Sequence, residues 1–275
     1  MTNKLYIIYQ LLFVLFVYLL LCNIQSSEQF NTSPKISFCI TCMNRFHQLK
    51  TVLPYNLIKN KKYKNQIEFV LVNFIINNSG KIIDKWVRNT FKKDIKSGYL
   101  KYYVCYNLDS WHASICKNTA HKYGKGQLLY NLDCDNYLNP NEVAFLLKQN
   151  LNNLLYNGGS GTSLDGTAGR ICLSAKYFNY LGGYNEYFYP SGYQDIDLLR
   201  RCETYLNRRA IKNKQIKNTA IKNTKLENIK NVKYNLLPWS KMNNLNKKIS
   251  IDKIKKKDLV NYHTIGLTAT LVKLK

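Results

Sequence analysis

The chain has 275 residues, room for one substantial α/β domain with appendages and too few for two large ones. Its 41 Lys and Arg against 16 Asp and Glu give a formal net charge of +25. Much of that charge lies between Asn207 and Asp258, so it describes a basic tract rather than the whole surface, and a nucleic-acid partner is not expected.

The segment Leu5 to Cys22 is apolar except for Gln10 and carries no charge. As a helix it nearly matches the hydrocarbon core of a bilayer. Lys4 precedes it and the next lysine is Lys35, so the positive-inside rule predicts a cytoplasmic N-terminus with the rest across the membrane. The alternative is a cleaved signal peptide, since Asn23 to Ser27 includes small residues near a possible cleavage point. Both readings send the domain into a secretory lumen. They predict a single-pass type II membrane protein of the Golgi or ER, a secreted protein, or one in a viral or host membrane compartment. In that setting Asn31-Thr32-Ser33 and Asn77-Asn78-Ser79 are usable glycosylation sequons.

Lys35 to Thr41 reads as a buried strand, followed by a helix from about Phe46 to Ile58. Ile67 to Phe74 is a second strand ending in the turn-prone Asn77-Asn78-Ser79-Gly80, with a helix from about Lys81 to Ile95 behind it. Tyr99 to Tyr106 is a third strand and Trp111 to Tyr123 a third helix. Gln127 to Leu132 is a strand that runs into Asp133, and Pro140 starts a helix at its first turn, where a missing N–H costs nothing. Gln194 to Arg209 is a further helix. Strands alternating with helices imply an α/β sheet with both faces covered and with ligands at the carboxyl ends of its strands.

Eight cysteines are scattered along the chain. The only close pair, Cys39-x-x-Cys42, lacks a second pair to complete a zinc site and lacks the Trp and Pro of a redox motif, so both are expected in the core. Ile211-Lys212-Asn213, Ile216-Lys217-Asn218 and Ile221-Lys222-Asn223 form a near-repeat spaced by five. Five fits neither helix nor strand, so the tract is expected to be a low-complexity, solvated insertion.

Asp133-Cys134-Asp135 carries the chemistry. Two carboxylates two residues apart on a strand share one face, and hard oxygen ligands suit Mn²⁺ or Mg²⁺. The motif is short and also compatible with a plain polar turn, but here it closes an apolar strand where a nucleotide site is expected. A second cluster runs from Tyr177 through Gly182-Gly183-Tyr184 to Gly192-Tyr193-Gln194-Asp195-Ile196-Asp197 and Arg200-Arg201. This segment resembles the C-terminal signature of β-1,4-galactosyltransferases and related inverting glycosyltransferases of the GT-A fold, family-2-like enzymes included. Cys42-Met43-Asn44-Arg45 resembles the donor segment of that family, Trp111 to Asn118 its next nucleotide-contacting segment, and Asp133 to Asp135 its metal motif.

The resemblance implies an α/β GT-A fold with a mixed central sheet flanked by helices, a UDP-sugar donor with Mn²⁺ or Mg²⁺, and a glycan or glycoprotein acceptor. It assigns Asp195 as the base, with helix capping as its alternative, and leaves Asp197 between an acceptor contact and a helix-dipole role. Asp135 is the metal ligand, Asp133 binds metal or donor, and His263 is the candidate third ligand. Thr41 and Arg45 line the nucleotide site together with Asn118 and with Trp111, whose alternative is a place in the core; Gly183 and Gln194 lie near the sugars, with a simple turn as the alternative for Gly183. Met43, Ala113, Ser191, Gln194 and Ile196 depart from the family pattern, which leaves the identity of both sugars open. The expected organisation is an anchor over 1–24, a stem over 25–34, the catalytic domain over 35–206, the insertion over 207–258 and a returning segment over 259–275. Two rival functions remain. A nucleotidyltransferase would need a glycine-rich phosphate loop that Thr41 to Arg45 lacks; a degenerate, non-catalytic membrane-tethered binding protein is the other.

Overall fold

Apolar strands buried on both faces build the centre of the domain. The computed structural model describes residues 33–159, 165–233, 237–262 and 266–274, with Phe13. Residues 34–275 form one unit and 1–33 another. The proposed membrane segment Leu5 to Cys22, the sequon residue Asn31 and His263 lie outside the described residues. Among the described residues no helix is long and apolar enough to cross a membrane.

In chain order the elements are β1 (Ile36–Cys42), α1 (Phe46–Lys59), β2 (Ile67–Phe74), α2 (Asn78–Thr90), α3 (Lys92–Lys96), β3 (Leu100–Cys105), α4 (Ala113–Lys122), β4 (Leu128–Asn131) and β5 (Asn136–Tyr137). There follow α5 (Pro140–Leu147), β6 (Leu155–Asn157), β7 (Ile171–Ser174), α6 (Ala175–Tyr180), α7 (Gln194–Leu206), β8 (Thr219–Ala220), α8 (Lys225–Ile229), α9 (Trp239–Lys255) and β9 (Thr270–Leu271).

The seven-stranded sheet has the order β6-β7-β4-β1-β2-β3-β9. Strands β4, β1, β2 and β3 are parallel; β7 and β9 run antiparallel to them on either side, and β6 pairs antiparallel with β7 at the edge. This is the mixed sheet expected from the sequence. Every residue of β1 and β2 is buried, as central parallel strands require. Alternation along β1 sends Phe38, Ile40 and Cys42 to one core, with Leu49, Leu53 and Val87 from the helices, and Cys39 to the other, with Cys116, Ala120 and Leu198. The two cysteines of Cys39-x-x-Cys42 therefore face opposite ways. Both are free and buried, as expected of core residues.

Local chemistry sets the helix ends. The Asn77 side chain accepts hydrogen bonds from the N–H groups of Ser79 and Gly80, so α2 starts at Asn78 rather than Lys81. The single helix expected to Ile95 breaks at Phe91, whose ring turns into the core and meets Trp86 edge-on at 5.1 Å. His112 caps α4, which begins at Ala113 instead of Trp111. Asn139 caps α5, with Pro140 in its first turn.

The Lys/Asn-rich tract departs most from expectation. Rather than forming a solvated insertion, it carries β8 paired with β5, and the 17-residue helix α9. Met242, Asn246 and Ser250 recur every four residues along α9 and form a buried face. Asn246 donates to the carbonyls of Tyr189 and Gly192 at 3.0 and 2.7 Å and accepts from the Tyr189 N–H at 2.7 Å. The helix thus holds the chain that leads into α7. A basic composition masked one apolar and amide-bearing face.

Candidate active site

A cleft of about 490 Å³ opens where β1 and β4 end, lined also by the start of α7 and by the Lys/Asn-rich tract. Thr41 comes from the end of β1, Arg45 from the β1–α1 connection, Trp111 and Lys117 from α4 and its approach, and Asp133 and Asp135 from the exit of β4. Gln194 and Asp195 come from the first turn of α7. Gly192 and Tyr193, both in the left-handed region at φ 97° and 67°, turn the chain sharply enough to aim that turn into the cleft.

Asp133 and Asp135 do not alternate along a strand as the sequence suggested. β4 ends at Asn131, and the motif forms a turn closed by the Asn136 N–H to the Asp133 carbonyl at 2.9 Å. Both carboxylates still face the cleft, while Cys134 between them is buried in the same core as Cys42. Asp133 Oδ1 accepts from Asn131 Nδ2 at 3.1 Å. Asp135 Oδ1 accepts from Asn136 Nδ2 at 2.7 Å, and its Oδ2 lies 3.6 Å from the Arg45 guanidinium and accepts from Asn223. Burial and the neighbouring Asp133 charge push the Asp135 carboxyl up to about 6, against the opposing pull of Arg45.

Lys117 joins the two acidic clusters. Its buried ammonium lies 2.6 Å from Asp195 Oδ1 and 3.4 Å from Asp133 Oδ1. Burial alone would lower its pKa, but Asp133 and Asp195 together raise it above the ordinary lysine value, so it stays charged. Burial raises Asp195 above the usual carboxylate range, with a further push from Asp133, and Lys117 opposes both. Lys117 occupies a position on the buried side of α4 shared with Ala113, Cys116 and Ala120. A lone lysine on a helical apolar stripe was the sequence signal that could have revealed it.

Three expected site residues fall outside the cleft. Asn118 is buried, with its amide donating to the Tyr184 carbonyl and accepting from the Tyr184 N–H, both at 2.8 Å. It fixes the Gly182-Gly183 turn instead of reaching a nucleotide. Gly183 has φ 58°, and a Cβ there would collide with Asn118 and Phe178, so glycine serves packing rather than a sugar. Asp197 is fully buried and pairs with Arg201 at 2.8 Å, while Arg201 also donates to the carbonyls of Leu181, Gly183 and Leu259. The downstream half of the signature is therefore an internal clasp that fixes the Gly-Gly turn to α7.

Asn223, Lys222, Asn231, Trp239 and Asn243 line the cleft and were not anticipated. Asn231 accepts from Asn44 Nδ2 at 3.1 Å, and its carbonyl takes the Trp111 N–H at 2.6 Å, which ties the tract across the mouth of the site. No alternation or motif marked these residues in a repetitive sequence.

Two carboxylates from one turn are hard oxygen donors of the kind that suit a divalent cation, and burial holds one of them above its ordinary pKa. Among the described residues no group of three His, Cys, Asp or Glu surrounds a metal position, so a cation held here would need other oxygen ligands.

In a parallel-centred α/β sheet the ligand site lies at the carboxyl ends of the strands, which is where these acidic residues stand. No family signature and no characterised sequence matches the chain. Among solved structures it is similar to a mannosyltransferase from Pyrobaculum calidifontis in complex with GDP-Man and Mn²⁺, at 12% identity and a TM-score of 0.51, over 66% of this chain and 55% of that one. It is also similar to the catalytic domain of Drosophila β1,4-galactosyltransferase 7 in complex with xylobiose, at 13% identity and a TM-score of 0.49, over 78% and 80%. A third is S. aureus TarS in complex with UDP-GlcNAc, at 17% identity and a TM-score of 0.48, over 69% and 59%. The chain spans just over half the length of the mannosyltransferase and has its fold, as the GT-A resemblance implied.

Proposed function

We propose that this chain is a metal-dependent inverting glycosyltransferase, moving a hexose of galactose or N-acetylhexosamine type from a UDP-sugar to a glycan or glycoprotein acceptor. The observation that carries the reading is one cleft in which Asp133 and Asp135 face Asp195 across Lys117. The fold shared with a mannosyltransferase solved with GDP-Man and Mn²⁺ supports it. A divalent cation at Asp133 and Asp135 would neutralise the charge that develops on the departing nucleoside diphosphate. Arg45 adds a guanidinium suited to a phosphate oxygen.

Asp195 takes the proton of the acceptor hydroxyl as that oxygen attacks the anomeric carbon. A raised pKa makes it a stronger base, and Lys117 keeps it ionised and aimed. Thr41 and Trp111 form the nucleotide wall, and the buried, unpartnered Gln194 Oε1 is available to a sugar hydroxyl. Anchoring through Leu5 to Cys22, with the domain in a secretory lumen, is part of the same proposal and rests on the sequence of that segment.

One observation favours a second reading. Met43, Ala113 and Ser191, all departures from the family pattern, lie on the cleft wall, as a degenerate binding protein would allow. The full chain, purified and incubated with a panel of UDP-sugars and Mn²⁺, separates the two. We expect UDP release with at least one donor, accelerated by a glycan acceptor. UDP binding without release from any donor would establish the binding protein instead.

A further inference from the structure

We propose that Asn223 is a third protein ligand of the divalent cation held by Asp133 and Asp135, delivered by a strap from the Lys/Asn-rich tract. The inference rests on the metal-dependent reading of the same cleft.

The strap is fixed in place by bonds that do not use the carboxylates of the motif. Ile211 bridges to Tyr156, and Asn218 donates to Glu142 Oε1 at 3.0 Å and to the Gly158 carbonyl at 2.8 Å. β8 pairs with β5 immediately after the motif, and the Ile221 N–H donates to the Asp135 carbonyl at 2.8 Å. These anchors bring the Asn223 amide against Asp135 Oδ2. Its other end accepts from Gln48 Nε2 at 2.9 Å.

Asn223 Nδ2 also donates to the Ile221 carbonyl at 3.2 Å, a long bond that a half-turn of the side chain gives up. A carboxamide has nearly the same shape at both ends, so that half-turn exchanges its N–H for its oxygen at little steric cost. Facing a bare carboxylate, Asn223 must present its N–H. Facing a cation on that carboxylate, it gains by presenting Oδ1, and Gln48 can turn in step to accept where it had donated. Adjacent ligands of a six-coordinate Mg²⁺ or Mn²⁺ lie about 3 Å apart, close to hydrogen-bonding separation, so a small retreat of Asn223 suffices. Amide carbonyl oxygens belong to the hard-oxygen set that these ions accept. The described residues offer no third His, Cys, Asp or Glu for that place.

The competing role for Asn223 is a cap that neutralises Asp135 only while metal is absent. The two roles predict opposite signs, because a cap competes with metal and a ligand holds it. Mn²⁺ binding to the full chain, without nucleotide, is measured by titration calorimetry or by the electron paramagnetic resonance signal of free Mn²⁺. Asn223→Ala should weaken binding about tenfold, the usual scale for one such group. Asn223→Asp should bind at least as tightly as the wild type, since it restores a hard oxygen and shows that the strap still folds. Unchanged or tighter binding by Asn223→Ala overturns the assignment. If Asp135→Asn abolishes binding in that case, only the role of Asn223 falls. If Mn²⁺ binding ignores Asp135 as well, the metal reading of the cleft falls and takes this proposal with it.

Discussion

A carboxylate can serve as a base only while it is ionised, and at Asp195 that state is set by one buried cation. Burial and Asp133 raise the Asp195 pKa, and Lys117 at 2.6 Å pulls it down. Replacing Lys117 with Met removes the charge that lowers it, so the pKa should rise further. The acid limb of kcat/KM against pH, which reports deprotonation of the base in the free enzyme, should move to higher pH. A pH profile of Lys117→Met with an unmoved acid limb would show that Asp195 is not the titrating base. Asp195→Asn keeps the shape of the side chain and removes the basic oxygen. Transfer should fall at least 10²-fold, the lower end for loss of general base catalysis. Its UDP affinity, measured by calorimetry, should stay within a few-fold of the wild type because Asp195 is assigned to the acceptor side.

At the scale of elements, α9 lines the cleft with Trp239 and Asn243, and a third side chain ties it to the chain before α7. Asn246 is fully buried and satisfies backbone groups of Tyr189 and Gly192, directly before the first turn of α7. Asn246→Ala would remove all three of these hydrogen bonds at a fully buried position, at a cost on the order of 3 kcal/mol, seen as a lower midpoint in urea unfolding. The variant that stays folded should also lose affinity for acceptor, since Gln194 and Asp195 hang from that chain. The sequence revealed β1, β2 and β4 within a residue or two because fully buried parallel strands are continuous apolar runs. The place of Thr41, Arg45, Asp133 and Asp135 in the cleft was legible for a related reason, since ligands collect where such runs stop, whereas Asp195 was reached only through the resemblance. Lys/Asn-rich α9 and the strap were not legible, since their buried groups are amides whose partners lie far away in sequence. Asn218 and Asn223, five residues apart in the near-repeat, meet Glu142 and Asp135 respectively. Nothing in the repeat distinguishes these from its solvent-facing neighbours. Asn118, Gly183 and Asp197 were placed by resemblance to contact ligands, and a resemblance in sequence carries no information on which matched residues clasp the scaffold.

For the whole molecule, the site should write itself into the pH dependence of stability. Asp135 has a folded-state pKa of about 6, raised from an ordinary 3.8. A carboxyl whose pKa rises on folding binds its proton more tightly in the native state. Its contribution to stability is therefore full below pH 3.8 and is lost as pH rises through about 6, on the order of 3 kcal/mol across the window. Asp195 is shifted in the same direction and adds to the slope with the same sign. The metal-free full chain should thus become relatively less stable from these groups between pH 4 and about 6.5, and Asp135→Asn should flatten that fall. Mn²⁺ binds the ionised carboxylates and should reverse it, raising the thermal midpoint more at pH 7 than at pH 5. Thermal unfolding of wild type and Asp135→Asn, each with and without Mn²⁺ at several pH values, isolates the contribution as a difference between curves. A Mn²⁺ stabilisation equal at pH 5 and pH 7 would mean that Asp135 is already ionised at pH 5. The compensation would then have to come from Arg45 and the strap, and burial would have to weigh less than the two neighbouring charges.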